Sequence, residues 1–458
     1  MRNTLLLTWL LVAIAGFALM LAAHFITDHA QQASHWGGGT MVVAEQELPD
    51  DATRLGGRSV AVRFLPLRKE TKQLTLMFAA SGDATKRTAQ RNFQEKVILL
   101  DDFDDAFNED LLQSGRLPRP DQPELLAGND AAERQKLTLD GKTYQVVGTL
   151  RPEESLFANA YLARKNDAST HLLDTQDDSV KQAVIFSRTE LKGVRPQLKE
   201  VFPKERFTWV GWPHRLPRGT YYLYLLGLLA LFLGGSALAI GLFIRWAERT
   251  RSRWLAPPLT EIRQRWRLLA TVHVICFGLA MTSMLVIYEF PEIQKTMLLL
   301  TSAQVQGGSG VLGVAGSAYK SRNIAVAAST TLGINFLLGS FASITLPSFA
   351  IPGIGALVAF WRDFLWGVLL APTDLMLAGR MLPHSWTLLL EGEAYILATF
   401  FALLIPIELF RPQPGITIRK RYARAVVLNL KGNLLVFLVL ALAAIYEATE
   451  VILLFIPA

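Results

Sequence analysis

Long apolar runs recur along this chain, and they constrain its folding more than any other feature. The first covers Thr4 to Phe25 and the second Tyr221 to Trp246; five more follow at about 267–288, 323–346, 351–371, 385–410 and 433–456. Each is long enough to cross a hydrocarbon core about 30 Å thick, which takes roughly 20 helical residues. Composition agrees: 51% of residues are hydrophobic and 19% charged, against about 25% charged in soluble domains. A soluble enzyme, a disordered chain and a secreted disulfide scaffold are therefore excluded. Cys276 is the single cysteine, so no intrachain disulfide exists. The expected fold class is a polytopic α-helical membrane protein of about seven spans with a large α/β extracytoplasmic domain.

The net charge of +7 is unevenly placed. Residues 28–215 hold 28 acids and 26 bases, whereas the other 270 residues hold 11 acids and 20 bases. The excess flanks the apolar runs, which is the positive-inside pattern of a membrane protein and not a nucleic-acid surface. One basic loop holds Arg245, Arg249, Arg251, Arg253, Arg263, Arg265 and Arg267; another holds Arg411, Arg419, Lys420, Arg421, Arg424 and Lys431. Placing both in the cytoplasm puts the amino terminus inside, residues 28–217 outside and the carboxyl terminus outside. The first run outlasts the 7–15 apolar residues of a signal peptide, so an uncleaved anchor is expected. The division is then an anchor (1–27), an outside α/β domain (28–217), a second span with a cytoplasmic loop (218–266) and a five-span half (267–458). Within 290–322, Pro291, Glu292 and Lys295 argue against a plain span. An interfacial helix followed by a glycine-rich loop is expected there, and a re-entrant segment only if protein shields its backbone.

In the outside domain, alternation marks strands at Ser59–Phe64 and Gln73–Phe78, and Gly141-Lys142 marks a hairpin turn between 136–139 and 143–147. Helical periodicity covers 192–201. The acidic run Asp101, Asp102, Asp104, Asp105, Glu109, Asp110 lacks the glycine and the closing glutamate of a calcium loop and reads as a solvated loop or helix start. Gly141-Lys142-Thr143 lacks the upstream glycine of a phosphate-binding loop, since Lys136 stands there. No catalytic motif is present, and no ATP site is expected in this chain. His384 stands alone beside the acids of the membrane half, without the paired spacing of H-E-x-x-H, so no metal site is expected either.

Two resemblances add to this reading. Gly115-Arg116-Leu117-Pro118, Glu124 through Gly128, and Leu139 through Gly148 resemble the extracytoplasmic domain of MacB/FtsX-type ABC permeases over about 28–246. Gly115 and Gly148 would serve turns and Glu124 would start a strand. Arg322-Asn323, Gly333-Ile334-Asn335, Gly339, Pro383-His384 and Glu391-Gly392-Glu393-Ala394 are similar to the stage II sporulation protein M family over about 265–458. The resemblances imply a permease-like subunit in a bacterial inner membrane. ATP would be hydrolysed on a separate cytoplasmic ATPase subunit, with a second permease or homodimer partner and periplasmic proteins as further partners. The alternative is a non-transporting envelope scaffold that recruits or regulates cell-wall enzymes.

Two residue groups are the candidate sites. Charges at bilayer depth cost about 2.5–3.5 kcal/mol each on insertion scales, so Arg362, Asp363, His384, Glu391, Glu393, Glu447 and Glu450 need partners or a polar path. Glu391 and Glu393 are about 200° apart on a helix and cannot face one cavity; His384, Arg362 or Arg380 is the expected partner of one of them. Glu447 and Glu450 share a face. In the loop, Ala256-Pro257-Pro258-Leu259 is expected to break the chain and Thr260 to cap a short helix. On that helix Glu261, Ile262, Arg263, Arg265 and Trp266 are the ATPase-contact candidates, with Ile262 and Trp266 forming an apolar knob; a helix lying on anionic lipid is the other reading.

Overall fold

The computed structural model describes residues 3–455 except 67–93, 166–179, 211–215, 302–309 and several shorter breaks. The strand expected at 73–78 lies outside the described residues, as do Gly307 and Gly308.

A sheet domain occupies the chain between two long helices, α1 (Asn3–Gln32) and the helix that begins at Arg218. Among the described residues its ten strands are β1 (Thr40–Ala44), β2 (Arg58–Phe64), β3 (Lys96–Leu100), β4 (Leu112–Gly115), β5 (Glu124–Ala127), β6 (Lys136–Leu139), β7 (Lys142–Leu150), β8 (Ala160–Arg164), β9 (Val180–Phe186) and β10 (Phe207–Val210). They form one sheet in the order β10-β1-β9-β2-β3-β8-β5-β7-β4, with β6 on β7. Most pairs are antiparallel; β3 with β8 and β5 with β7 are parallel. Alternation along β3 feeds both faces. Ile98 and Leu100 join a core with Trp36, Phe107 and Phe157, while Val97 and Leu99 join Leu125, Tyr144 and Tyr161. The amphipathic helix α2 (Arg188–Val201) starts in a Ser187/Glu190 capping box and packs Leu198 against Val42 and Val184.

The β6–β7 turn is Asp140-Gly141, one residue before the expected Gly141-Lys142, and both residues are at positive φ, as a two-residue hairpin turn requires; Lys142 already opens β7. Glu124 opens β5 as expected. Gly115 and Gly148 do not make turns: they are partners across β4 and β7, where a side chain at Gly115 would overlap the Val147 carbonyl. Next to them Arg116 grips Glu124 through two hydrogen bonds of 2.7 and 2.5 Å. The acidic run forms two short helical turns, and Asp104 pairs with Arg164.

The rest is a helical bundle, as a polytopic membrane protein requires. α3 (Arg218–Arg249) is followed by α4 (Ala256–Gln264), α5 (Trp266–Glu289), α6 (Gly310–Lys320), α7 (Ile324–Ala350), α8 (Ile354–Leu370), α9 (Leu375–Phe410) and α10 (Ile418–Phe455). Among the described residues six helices, α1, α3, α5, α7, α9 and α10, are long and apolar enough to cross a membrane. α8 has 17 residues and packs along α5, with Gly367 against Ala280 and Ser283. α9 is the central helix, with 83% of its most apolar window buried, and its near-uniform apolarity suits that position. α1 and α3 cross at glycines, where a Cβ on Gly16 would lie 2.5 Å from the Gly227 carbonyl oxygen.

Three expectations change. α6 is helical, so Gly313 and Gly316 lie in a helix and not in a loop. α9 begins at Leu375, ten residues before the expected start, and so contains Arg380 and His384. α10 begins at Ile418, so Arg419, Lys420, Arg421, Arg424 and Lys431 ride on its first turns. Basic residues lower local hydropathy without breaking a helix, which is why the apolar run understates its length.

Candidate functional site

The ionisable groups of the bundle gather around α9. Glu391 and Glu393 point to different neighbours, as their spacing demands. Glu393 meets His273 of α5, with Nε2 and Oε2 2.9 Å apart, and each residue is 4% exposed. His273 Nδ1 donates to the Leu269 carbonyl one turn back at 2.8 Å. Glu391 accepts from Asn335 Nδ2 of α7 at 2.5 Å and lies beside Glu447 of α10. Asn335 belongs to a π-helical stretch, Ile334–Thr345, a wide winding often found at functional positions.

His384, Arg362 and Arg380 are not the hydrogen-bond partners of Glu391 or Glu393 among the described residues. His384 instead faces Glu450, at 3.4 Å, and Thr387 donates to the other Glu450 oxygen at 2.8 Å. Glu447 and Glu450 thus both turn toward α9, one turn apart. Arg362 donates to the Gly339 carbonyl at 2.6 Å and stacks on the Tyr395 ring at 3.4 Å, while its Nε and Nη2 are buried without a hydrogen-bond partner. Its neighbour Asp363 is buried against Cys276 of α5. Deeper polar support comes from Thr345, which donates to Asn433 of α10 at 3.2 Å.

His273 carries no motif and is invisible to spacing rules, and Asn335 stands in the Gly333-Ile334-Asn335 stretch of the second resemblance, which assigns it no partner. One signal was available for His273: it is the single His, Lys, Arg, Asp or Glu in the apolar body of α5, and such a group requires a partner. Among the described residues no group of three or more His, Cys, Asp or Glu is placed to hold a metal.

At α4 the geometry departs from the expected amphipathic helix. Pro257 and Pro258 do not break the chain; they sit in the first turn, where a missing N–H costs nothing, and Thr260 is internal and caps nothing. Leu259 and Ile262 are fully buried in the bundle core. Trp266 opens the next helix and is 46% exposed, so Ile262 and Trp266 do not form one outward knob. Glu261 and Arg265 pair at 3.0 Å, and Arg265 also grips Glu408 at the end of α9. Of the five contact candidates only Arg263 and Trp266 present exposed side chains.

Comparison with known proteins finds no matching family model, curated protein or solved structure.

Proposed function

We propose that this chain is a permease-like membrane subunit of an ABC-type export or extraction assembly in a bacterial inner membrane, driven by a separate cytoplasmic ATPase. In this reading α8 is the seventh span, the amino terminus is cytoplasmic and the sheet domain is periplasmic. The basic residues around α4 and at the start of α10 then both face the cytoplasm, in accord with the positive-inside rule.

The observation that carries the reading is the seating of α4. Ile262 anchors it in the bundle core, and Arg265 bridges it to Glu408, at the far end of the helix that bears Glu391 and Glu393. A push on the exposed Trp254, Arg263 or Trp266 is thereby delivered to α9 and its buried charges. At the other end, the sheet domain is spliced into the closely packed α1–α3 pair, so its movement reaches the same bundle. Coupling of this kind suits a machine that converts ATP hydrolysis on one face into work on the other.

Affinity purification of the full chain from its native membrane, with mass spectrometry of the partners, tests the proposal. A stoichiometric ATPase is the expected result. A cell-wall enzyme recovered without an ATPase would replace this reading with the scaffold.

A further inference from the structure

An apolar groove of about 890 Å³ runs between α1, α3 and α5. Its α3 wall is one helical stripe, Leu229, Leu233, Ser236, Ile240, Ile244 and Glu248, at the i, i+3, i+4 spacing of a single face. Nineteen residues of rise make that stripe about 28 Å long, close to the thickness of a hydrocarbon core. The groove is open along one side, where Leu233 is 51% and Val274 67% exposed. His273 lines it, but both of its ring nitrogens are engaged by Leu269 and Glu393, so the body of the groove presents no free charge.

The mouth differs. Glu248, Arg263 and the Trp266 indole line that end. Glu248 and Arg263 are exposed, of opposite sign, and form no ion pair with each other or with another described residue. An acid and a base held apart at the end of a long apolar channel match a zwitterionic headgroup followed by hydrocarbon tails. An ammonium that keeps its N–H groups can donate to the Glu248 carboxylate, and a phosphate can accept from the Arg263 guanidinium. Tryptophan at that depth is at home among headgroups.

We propose that this groove is a binding site for a phosphoethanolamine lipid, with the phosphate on Arg263, the ammonium on Glu248 and the acyl chains along α3. Arg263 and Trp266 also belong to the surface proposed to meet an ATPase, so the lipid site is tested on the chain alone, where its failure and the failure of the ATPase reading are distinguishable.

Titrating the purified full chain with phosphatidylethanolamine, phosphatidylcholine and phosphatidylglycerol, followed by native mass spectrometry, tests it. Phosphatidylethanolamine is expected to form a one-to-one adduct about fivefold tighter than either competitor, the scale of one interfacial charge contact. Glu248→Gln should erase the preference over phosphatidylcholine, and Arg263→Gln should weaken all three lipids; both residues are exposed, so folding is spared. Ala237→Trp, which fills the groove from its wall, should abolish the adduct. Equal affinity for the three lipids, tighter phosphatidylglycerol binding, or an unchanged adduct in Ala237→Trp would each overturn the assignment.

Discussion

His273 Nε2 lies 2.9 Å from Glu393 Oε2, and the other ring nitrogen of His273 lies 2.8 Å from the Leu269 carbonyl. A carbonyl oxygen only accepts, so Nδ1 carries a proton. The contact with Glu393 then holds one further proton, on Nε2 as an ion pair or on the carboxyl as a neutral pair. Either way the pair has no net charge, which is how two ionisable groups persist in the buried interior of the bundle.

Removing one partner strands the other. His273→Leu and Glu393→Leu are each expected to cost about 3–5 kcal/mol, the scale of an uncompensated buried charge, while the double variant costs clearly less than their sum. Glu393→Gln keeps a donor for a neutral Nε2 and should cost about 1 kcal/mol. Unfolding of the full chain in bicelles gives the cycle; strictly additive losses would deny the pairing.

The buried polar seam also makes a functional prediction. Glu391 lies between Asn335, Glu447 and the Arg362 field, a setting suited to a proton or cation passing along α9. Glu391→Gln keeps the shape and the hydrogen bond to Asn335 but cannot change charge. It should abolish function at normal membrane abundance, whereas normal function would leave the seam purely structural.

Much of this was legible in the sequence, for identifiable reasons. β2 and the β6–β7 hairpin follow from alternation and a glycine turn read one residue late, and α2 from helical periodicity over 192–201, all local signals. The parallel pairing of β3 with β8 joins segments about sixty residues apart, and no local pattern encodes it. The six long apolar helices follow from hydropathy, because lipid tolerates few other solutions. Partner choice inside the bundle does not: His273 and Glu393 are 120 residues apart, and a lone histidine in an apolar run has no spacing to read. Ile262 was misplaced for a related reason. A short helix folded back onto the core looks, in sequence, like one that faces solvent.

In the sheet domain Arg116 holds the Glu124 carboxyl below the usual carboxylate range, chiefly through its hydrogen bonds and with help from the Arg119 N–H. A depressed folded-state pKa gives stability that is complete above the unfolded value, about 4.3, and is lost as pH falls through the folded value. Hydrogen exchange at β5, corrected for intrinsic rates, should therefore accelerate on acidification below that point. Glu124→Gln should make the protection lower and independent of pH there; an unchanged acid profile would refute the assignment.

Topology is directly measurable, because Cys276 is the single cysteine and is buried. Cysteines placed at Asp121 and Asp177 should react with an impermeant thiol reagent in intact spheroplasts, and those at Ser252 and Thr417 should not; Asp177 lies outside the described residues. Labelling at Ser252 would invert the proposed orientation and remove α4 from the reach of any cytoplasmic ATPase.

The remaining prediction separates a partner contact from a core contact on α4. Ile262 is fully buried, so Ile262→Asp places a carboxylate in an apolar site and should reduce the folded protein itself. Ile262→Val removes one methylene and should cost about 0.5–1.5 kcal/mol with partner binding intact. Trp254 is 54% exposed and, with Arg263, belongs to the surface that a partner would meet. The pair Trp254→Ala with Arg263→Gln should leave abundance unchanged and lose the copurifying ATPase. If that variant keeps the ATPase while Ile262→Asp still folds and loses it, α4 must detach from the bundle to dock, and the rigid transmission through Arg265 and Glu408 is wrong.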